Sequence, residues 1–186
     1  KRETARQLLH RMAALCGMNP HLSSRDLFGA EVQYFRLEPR YWDPILVRLK
    51  ESGIRCVTSY VPWEIHSVAP PDRKHPAGVL DFTGKTDPRR NLLGFMELIE
   101  KHGLKMNFRA GPFCCNEMPC GGLPEWLVLG DPAMMVWDWQ NRTTQGYWIA
   151  RKAGSQPSYL HPRYLALVRH WIAAVAPIAR AHLACR

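Results

Sequence analysis

A chain of 186 residues with 46% hydrophobic and 22% charged side chains carries enough apolar material for one domain with a real core, which excludes a disordered segment. The formal charge of +9 comes from 25 lysines and arginines that never stand more than two together, so no basic stripe marks a nucleic-acid partner. No apolar run approaches the roughly 20 residues of a spanning helix, and the charged opening KRETARQLLHRM is not followed by a signal-peptide core, so no membrane partner is expected.

Apolar periodicity alternates between two and about 3.6 along the chain, and three strand-and-helix units emerge. The first strand is expected from Glu31 to Leu37, followed by a helix from about Arg40 that shows Trp42, Ile45, Leu46 and Leu49 on one face and stops at Gly53. The second strand is expected from Ile54 to Val61. A long polar connection from Glu64 to Asp87 follows, with a short extended piece within Val79 to Gly84. Asp87 and Pro88 read as an acidic cap and a first-turn proline, opening a helix that buries Leu92, Phe95, Met96 and Ile99 and ends at Gly103. A third strand, Leu104 to Arg109, leads into the loop AGPFCCNEMPCGGLPEWL and an irregular stretch to Ser158, where Asp131-Pro132 marks a short helix. A last helix from about Pro162 is expected to bury Tyr164, Leu165, Val168, Trp171, Ile172 and Val175, with Pro177 ending or kinking it.

Strands joined by helical crossovers imply a parallel α/β sheet, either an open doubly wound sheet or part of a (β/α)8 barrel. Neither GxGxxG nor the P-loop pattern follows any strand, so a nucleotide cofactor is not expected. Six cysteines form no CxxC pair and no histidines show zinc-finger spacing, so no metal site is expected either. The vicinal Cys114 and Cys115, with Cys120 nearby, could bind a soft metal or oxidise, but such cysteines more often act as small buried hydrophobes. The Asn141-Arg142-Thr143 sequon matters only if the protein is secreted, and the compartment stays open. The loops after strands two and three carry carboxylates, aromatics and Pro-Trp turns, which suit a sugar better than a phosphate.

The segments GAEVQYFRL (Gly29 to Leu37), SYVPWEIH (Ser59 to His66), AGPFCCNEMPCGGLPEWL (Ala110 to Leu127) and PSYLHPRYL (Pro157 to Leu165) resemble the amino-terminal half of glycoside hydrolase family 35, chiefly β-galactosidases. The resemblance runs from about Leu27 to Leu183. It implies that residues 27–186 form the opening portion of a (β/α)8 TIM barrel; residues 1–26 match nothing in the family and are expected to form a helical extension. A barrel of this type takes about 250 residues, so only the first three or so β/α units are expected here, with the rest of the barrel as a partner. The resemblance further implies retaining hydrolysis of a terminal β-galactoside or oligosaccharide without cofactor. The two catalytic glutamates are expected outside these 186 residues, which would leave this chain inactive alone.

Residue by residue, Tyr60 matches a tyrosine that in the family contacts galactose, and Glu117 matches a glutamate that bonds sugar hydroxyls, with Cys115 and Asn116 beside it. The family's Cys-Ala-Glu-Trp reads Cys-Asn-Glu-Met here, so Met118 removes a possible stacking face. Glu64 stands where many members have Asn; it lines the site or caps a turn. Tyr34 resembles the tyrosine of the family's Tyr-Phe-Arg and is a further candidate for substrate binding. Glu64 and Glu117 as the catalytic pair themselves would need carboxyl groups about 5 to 5.5 Å apart and a raised pKa on one, which an open sheet wetted by water does not favour. The alternative reading from another class is a non-catalytic sugar-binding module or pseudoenzyme.

Overall fold

The computed structural model describes residues 29–76, 78–114, 118–142 and 156–183. Its strands and helices, in chain order, are β1 (Gly29–Glu31), α1 (Trp42–Glu51), β2 (Cys56–Tyr60), the single turn α2 (Trp63–His66), β3 (Ser67–Ala69), β4 (Val79–Leu80), α3 (Leu92–Lys101), β5 (Lys105–Arg109), α4 (Glu125–Gly130) and α5 (Pro162–Leu183). The expected helical extension over residues 1–26 lies outside the described residues.

β1, β2 and β5 form one parallel sheet in that order, and β3 pairs antiparallel with β4 beside it. Parallel neighbours joined through helices give an α/β fold of the kind that part of a TIM-like barrel takes. The register sets Glu31 beside Thr58 and aligns Thr58 with Asn107 and Tyr60 with Arg109, so these side chains share one face. Val57 and Ser59, on the opposite face, are fully buried. Among the described residues no helix is long and apolar enough to cross a membrane.

The helical stripe of α3 is as the periodicity reads: Leu92, Phe95, Met96 and Ile99 are all buried. Asp87 caps a 3-10 turn over Pro88–Arg90 by accepting from Arg89 N, and Asn91 then caps α3 by accepting from Gly94 N. Asp131 likewise accepts from Ala133 N over a turn at Pro132–Met134. The extended piece expected within Val79 to Gly84 is β4, at Val79–Leu80.

The first strand differs from expectation. It ends at Glu31, and Tyr34–Arg36 is a 3-10 turn. Tyr34 and Phe35 are adjacent and both buried, which a strand cannot do against one layer because successive side chains point to opposite faces. The turn also lets the Tyr34 carbonyl accept from Trp42 Nε1 at 3.1 Å and stacks its ring on Phe95 with centroids 5.2 Å apart. In α5, Tyr164, Trp171 and Val175 are buried as expected, but Leu165 and Ile172 face outward, each 39% exposed. They lie one step, about 100°, around the helix from Tyr164 and Trp171, outside the stripe that packs inward. Pro177 does not end α5, which continues to Leu183.

Candidate functional site

The carboxyl ends of β2 and β5 are adjacent by register, and the two motif loops leave the sheet there. Such ends are where parallel α/β folds gather their ligand-binding side chains. Tyr60 closes β2 with its ring under the Arg109 guanidinium, 3.8 Å from the ring centroid, and its backbone N–H donates to Gln33 Oε1 at 3.2 Å. Val61 N donates to the Arg109 carbonyl at 2.9 Å, which carries the strand pairing into the loop. Arg109 of β5 and Gln33, in the segment after β1, thus fix the position of Tyr60.

Glu64 lies one turn further on, within α2, half-buried, with Oε2 shut from solvent and lacking a hydrogen-bond partner among the described residues. Burial, then the nearby Glu125 charge, raises its pKa to about 7. Glu125 itself opens α4 within the GGLPEWL motif. A carboxyl group left without a donor at the mouth of two loops is a place for a ligand hydroxyl or cation. Because protonation of Glu64 is easier in the folded state, its stabilising contribution is full below its ordinary pKa of 4.5 and is lost as pH rises through about 7. Discounted for partial exposure, Glu64→Gln is expected to be more stable than wild type by about 1 kcal/mol at pH 8, with the gap closing by pH 4.5 in denaturant titrations.

His66, at the end of the same turn, is fully buried and ties the loop to two other elements. Its Nδ1 lies 2.6 Å from the Asp81 carbonyl and its Nε2 2.5 Å from the Tyr34 hydroxyl. A carbonyl can only accept, so Nδ1 carries the proton and Nε2 accepts from Tyr34 O–H. Burial lowers the His66 pKa to about 4, against the opposing pull of the Asp81 carbonyl and charge and with the help of Arg90. Burial also raises the Tyr34 pKa well above its ordinary value, with the Cys114 charge adding to it. Asp81 is held below the usual carboxylate range: burial opposes this, but Thr86 and Thr83 outweigh it by donating through backbone N–H and hydroxyl groups.

The loop after β5 is anchored on both sides. Cys114 N donates to Gly121 O at 2.7 Å, and Gly121 N to Met118 O at 3.1 Å. Gly121 has φ +64, and a Cβ there would run into the Phe113 ring, so the glycine is required for the loop to close on itself. Trp171 of α5 donates from Nε1 to the Ala110 carbonyl at 2.8 Å and stacks on Trp63 with centroids 5.3 Å apart, while Trp126 meets Trp63 edge-on at 5.8 Å. The three tryptophans clamp the two loops together from below. Burial raises the Cys114 thiol to about 12, with Arg109 pulling the other way, and raises Cys120 to about 11, with Glu64 and Glu125 adding to it. Both thiols stay protonated at neutral pH and pack as small hydrophobes.

The structure thus brings Tyr60 and Glu64 to one end of the sheet and places Tyr34 in the core, with its hydroxyl bonded to His66. Cys115, Asn116 and Glu117 lie outside the described residues. Sequence reasoning did not assign Arg109, Gln33 or Glu125 to this region. The register of β2 against β5 is what pairs Arg109 with Tyr60, and register is not written in a single strand.

The comparisons agree with this arrangement. The model of glycosyl hydrolases family 35 matches residues 22–145. The chain is 36% identical over 157 residues to an exo-beta-D-glucosaminidase of Pyrococcus horikoshii, covering 84% of this chain and 19% of that protein. An exo-beta-D-glucosaminidase of Thermococcus kodakarensis is 35% identical over 156 residues, covering 83% of this chain and 18% of that protein. Human beta-galactosidase-1-like protein 2 is 40% identical over 110 residues, covering 59% of this chain and 15% of that protein. The chain therefore spans about a fifth or less of the length of these relatives. With its motif loops at the carboxyl ends of a parallel sheet and the family model covering most of its length, the chain belongs to glycosyl hydrolases family 35, a family of carbohydrate-active proteins.

Proposed function

We propose that this chain supplies the loops that hold the terminal sugar of a β-galactosidase-like retaining glycosidase built on a (β/α)8 barrel. The observation that carries the reading is the register of β2 and β5, which sets Tyr60 and the openings of both motif loops at neighbouring strand ends. Tyr60, Asn116 and Glu117, with the Cys115 backbone or thiol, bond the sugar hydroxyls; Glu64 lines the same mouth. Tyr34 acts on the site through His66, which keeps the turn bearing Glu64 in place.

In this reading one carboxylic acid protonates the leaving oxygen, a second carboxylate forms a glycosyl-enzyme, and water resolves it. Neither of these two roles is assigned to a residue of this chain, so the 186 residues alone bind sugar without turning it over. The bonds from Tyr60 and Glu117 strengthen as the ring flattens toward its oxocarbenium-like state.

A second reading changes only the sugar. Glu64 offers a buried, unpartnered carboxylate oxygen with the Glu125 charge behind it, a setting that suits the ammonium group of a glucosamine at least as well as a hydroxyl. The names of the two archaeal relatives point the same way. Titration with galactose and with glucosamine separates the two. Tyr60→Phe, which keeps the ring under Arg109 and removes only the hydroxyl, is expected to weaken the preferred sugar about 5- to 10-fold, the value of one good hydrogen bond. Unchanged affinity in Tyr60→Phe would remove Tyr60 from the site.

A further inference from the structure

The stretch from Trp137 to Trp148 reads WDWQNRTTQGYW, four aromatics interleaved with hydrogen-bonding side chains and with no aliphatic residue among them. Ring faces set among polar groups are how a surface grips a sugar chain; two aliphatic side chains, Val136 and Leu160, are also exposed beside the described rings. The described aromatics of this region are well exposed: Trp137 at 51%, Trp139 at 88% and, across a β-bridge, Tyr159 at 49%.

The scaffold beneath them is fixed. Val136 N donates to Gln156 O at 2.8 Å and Ser158 N to Met134 O at 2.9 Å on either side of the Met135–Pro157 bridge. Trp139 stands in a tight turn organised by Asp138, whose carboxylate accepts from Gln140 N at 2.8 Å and Arg142 N at 3.0 Å and pairs with the Arg142 guanidinium. Trp137 donates from Nε1 to Pro132 O at 3.3 Å, and Gln156 donates to the Tyr159 hydroxyl at 2.7 Å. These rings are presented from tied backbone.

Two contacts along α5 give the position of this scaffold relative to the sugar loops. His182 lies 3.6 Å from Glu100 at the end of α3, beside the start of β5, and Trp171 bonds the carbonyl of Ala110 just past the end of β5. α5 therefore runs antiparallel to β5. Its first nine residues, back from Trp171 to Pro162, extend beyond the strand's carboxyl end by about 13 Å at 1.5 Å per residue. Tyr159 and the bridged segment sit at the top of this overhang, pinned by Arg163 to Asp131 at 2.6 Å. They stand on the side of the sheet where the terminal-sugar loops open, beyond the carboxyl end of β5.

We propose that Trp137, Trp139 and Tyr159 form a stacking platform for the part of a β-linked oligosaccharide that lies beyond its terminal sugar. The inference rests on the sugar-binding reading above and adds to it the residues that hold the far units of an oligosaccharide, by their ring faces. Outward-facing Leu165 and Ile172 lie lower on α5 and belong to a separate aliphatic stripe.

The test is equilibrium binding to the intact protein of glucosamine and galactose, and of the corresponding β-1,4-linked tetrasaccharides, followed by calorimetry and by tryptophan fluorescence. Wild type is expected to bind one tetrasaccharide at least about tenfold tighter than its monosaccharide, and Trp139→Ala to lose most of that advantage while leaving the monosaccharide unchanged. Trp137→Ala, confirmed folded by its thermal transition, is expected to behave in the same direction. Equal affinities for tetrasaccharide and monosaccharide, or an undiminished advantage in Trp139→Ala, would overturn the platform and leave the terminal-sugar reading standing. A change of oligomeric state in Trp139→Ala with both affinities intact would assign the surface to a protein partner and overturn it too. Failure of wild type to bind any of the four sugars would sink the terminal-sugar reading itself, and the platform with it.

Discussion

Trp171→Ala is expected to cost about 3–5 kcal/mol in urea or guanidinium unfolding, one of the two largest effects on stability that this structure implies. The side chain is completely buried, stacks on Trp63 at 5.3 Å, approaches Phe82 at 5.9 Å and donates to the Ala110 carbonyl. Truncation leaves a cavity beneath both sugar loops and a half-buried carbonyl without its donor, two penalties that add to the lost apolar burial. Trp171→Phe, which keeps a ring against Trp63 and loses the hydrogen bond, is expected to cost about 1–3 kcal/mol. Because Ala110 begins the loop that carries Cys115, Asn116 and Glu117, the alanine variant also loosens the site. A loss below about 1 kcal/mol in Trp171→Ala would mean that α5 does not clamp the loops.

The second large effect is a loss of stability on acidification, carried by His66. Its pKa falls from 6.5 to about 4 on folding because burial of the ring, with help from the Arg90 charge, outweighs the opposing pull of the Asp81 carbonyl and charge. For a depressed pKa, the contribution to stability is full above pH 6.5 and disappears as pH falls through about 4. A shift of this size corresponds to about 3 kcal/mol. Glu64 acts in the opposite sense over an overlapping window, because its protonation between about pH 7 and 4.5 favours the folded state. The contribution of His66 is therefore read against His66→Gln, which stays neutral and keeps an amide donor for the Asp81 carbonyl. Wild type is expected to lose about 3 kcal/mol more than that variant between pH 7 and pH 4. Parallel profiles for the two proteins would show that His66 does not titrate out of the core.

Much of the fold was legible because its elements follow their own periodicities. α3 announces itself by four apolar residues on one face and a closing glycine, both local signals, while the Asp-Pro opening caps the 3-10 turn before it and Asn91 caps the helix. β2 and β5 are likewise short segments between turn formers, with apolar and polar residues alternating along β5. The first strand misled because Tyr34-Phe35 looks like strand chemistry, whereas the Tyr34 ring is drawn inward by Trp42, Phe95 and His66, the last two distant in sequence, and Phe35 packs edge-on against it. The outward turn of Leu165 and Ile172 was equally hidden, since periodicity gives a helix two apolar stripes and only packing chooses between them.

The site was legible in its motifs more than in its geometry. YVPWEIH and GGLPEWL point to two loops, and the parallel register brings their openings side by side. The stacking of Arg109 on Tyr60, the reach of Glu125 to Glu64 and the role of His66 as a buried tie depend on long-range contacts that no spacing rule encodes. The tryptophans of the two motifs, Trp63 and Trp126, pack against each other beneath the loops, as large rings usually do.

The central claim is that a terminal sugar binds at the carboxyl ends of β2 and β5. It is tested most directly by titrating the protein with galactose and with glucosamine while following backbone amide signals by NMR. The account predicts saturable shifts for one of the two sugars at Tyr60, Glu64, Arg109 and the loop from Ala110 to Glu125, with α1 and the amino-terminal half of β2 unmoved. Shifts confined to other surfaces, or none with either sugar, would contradict it.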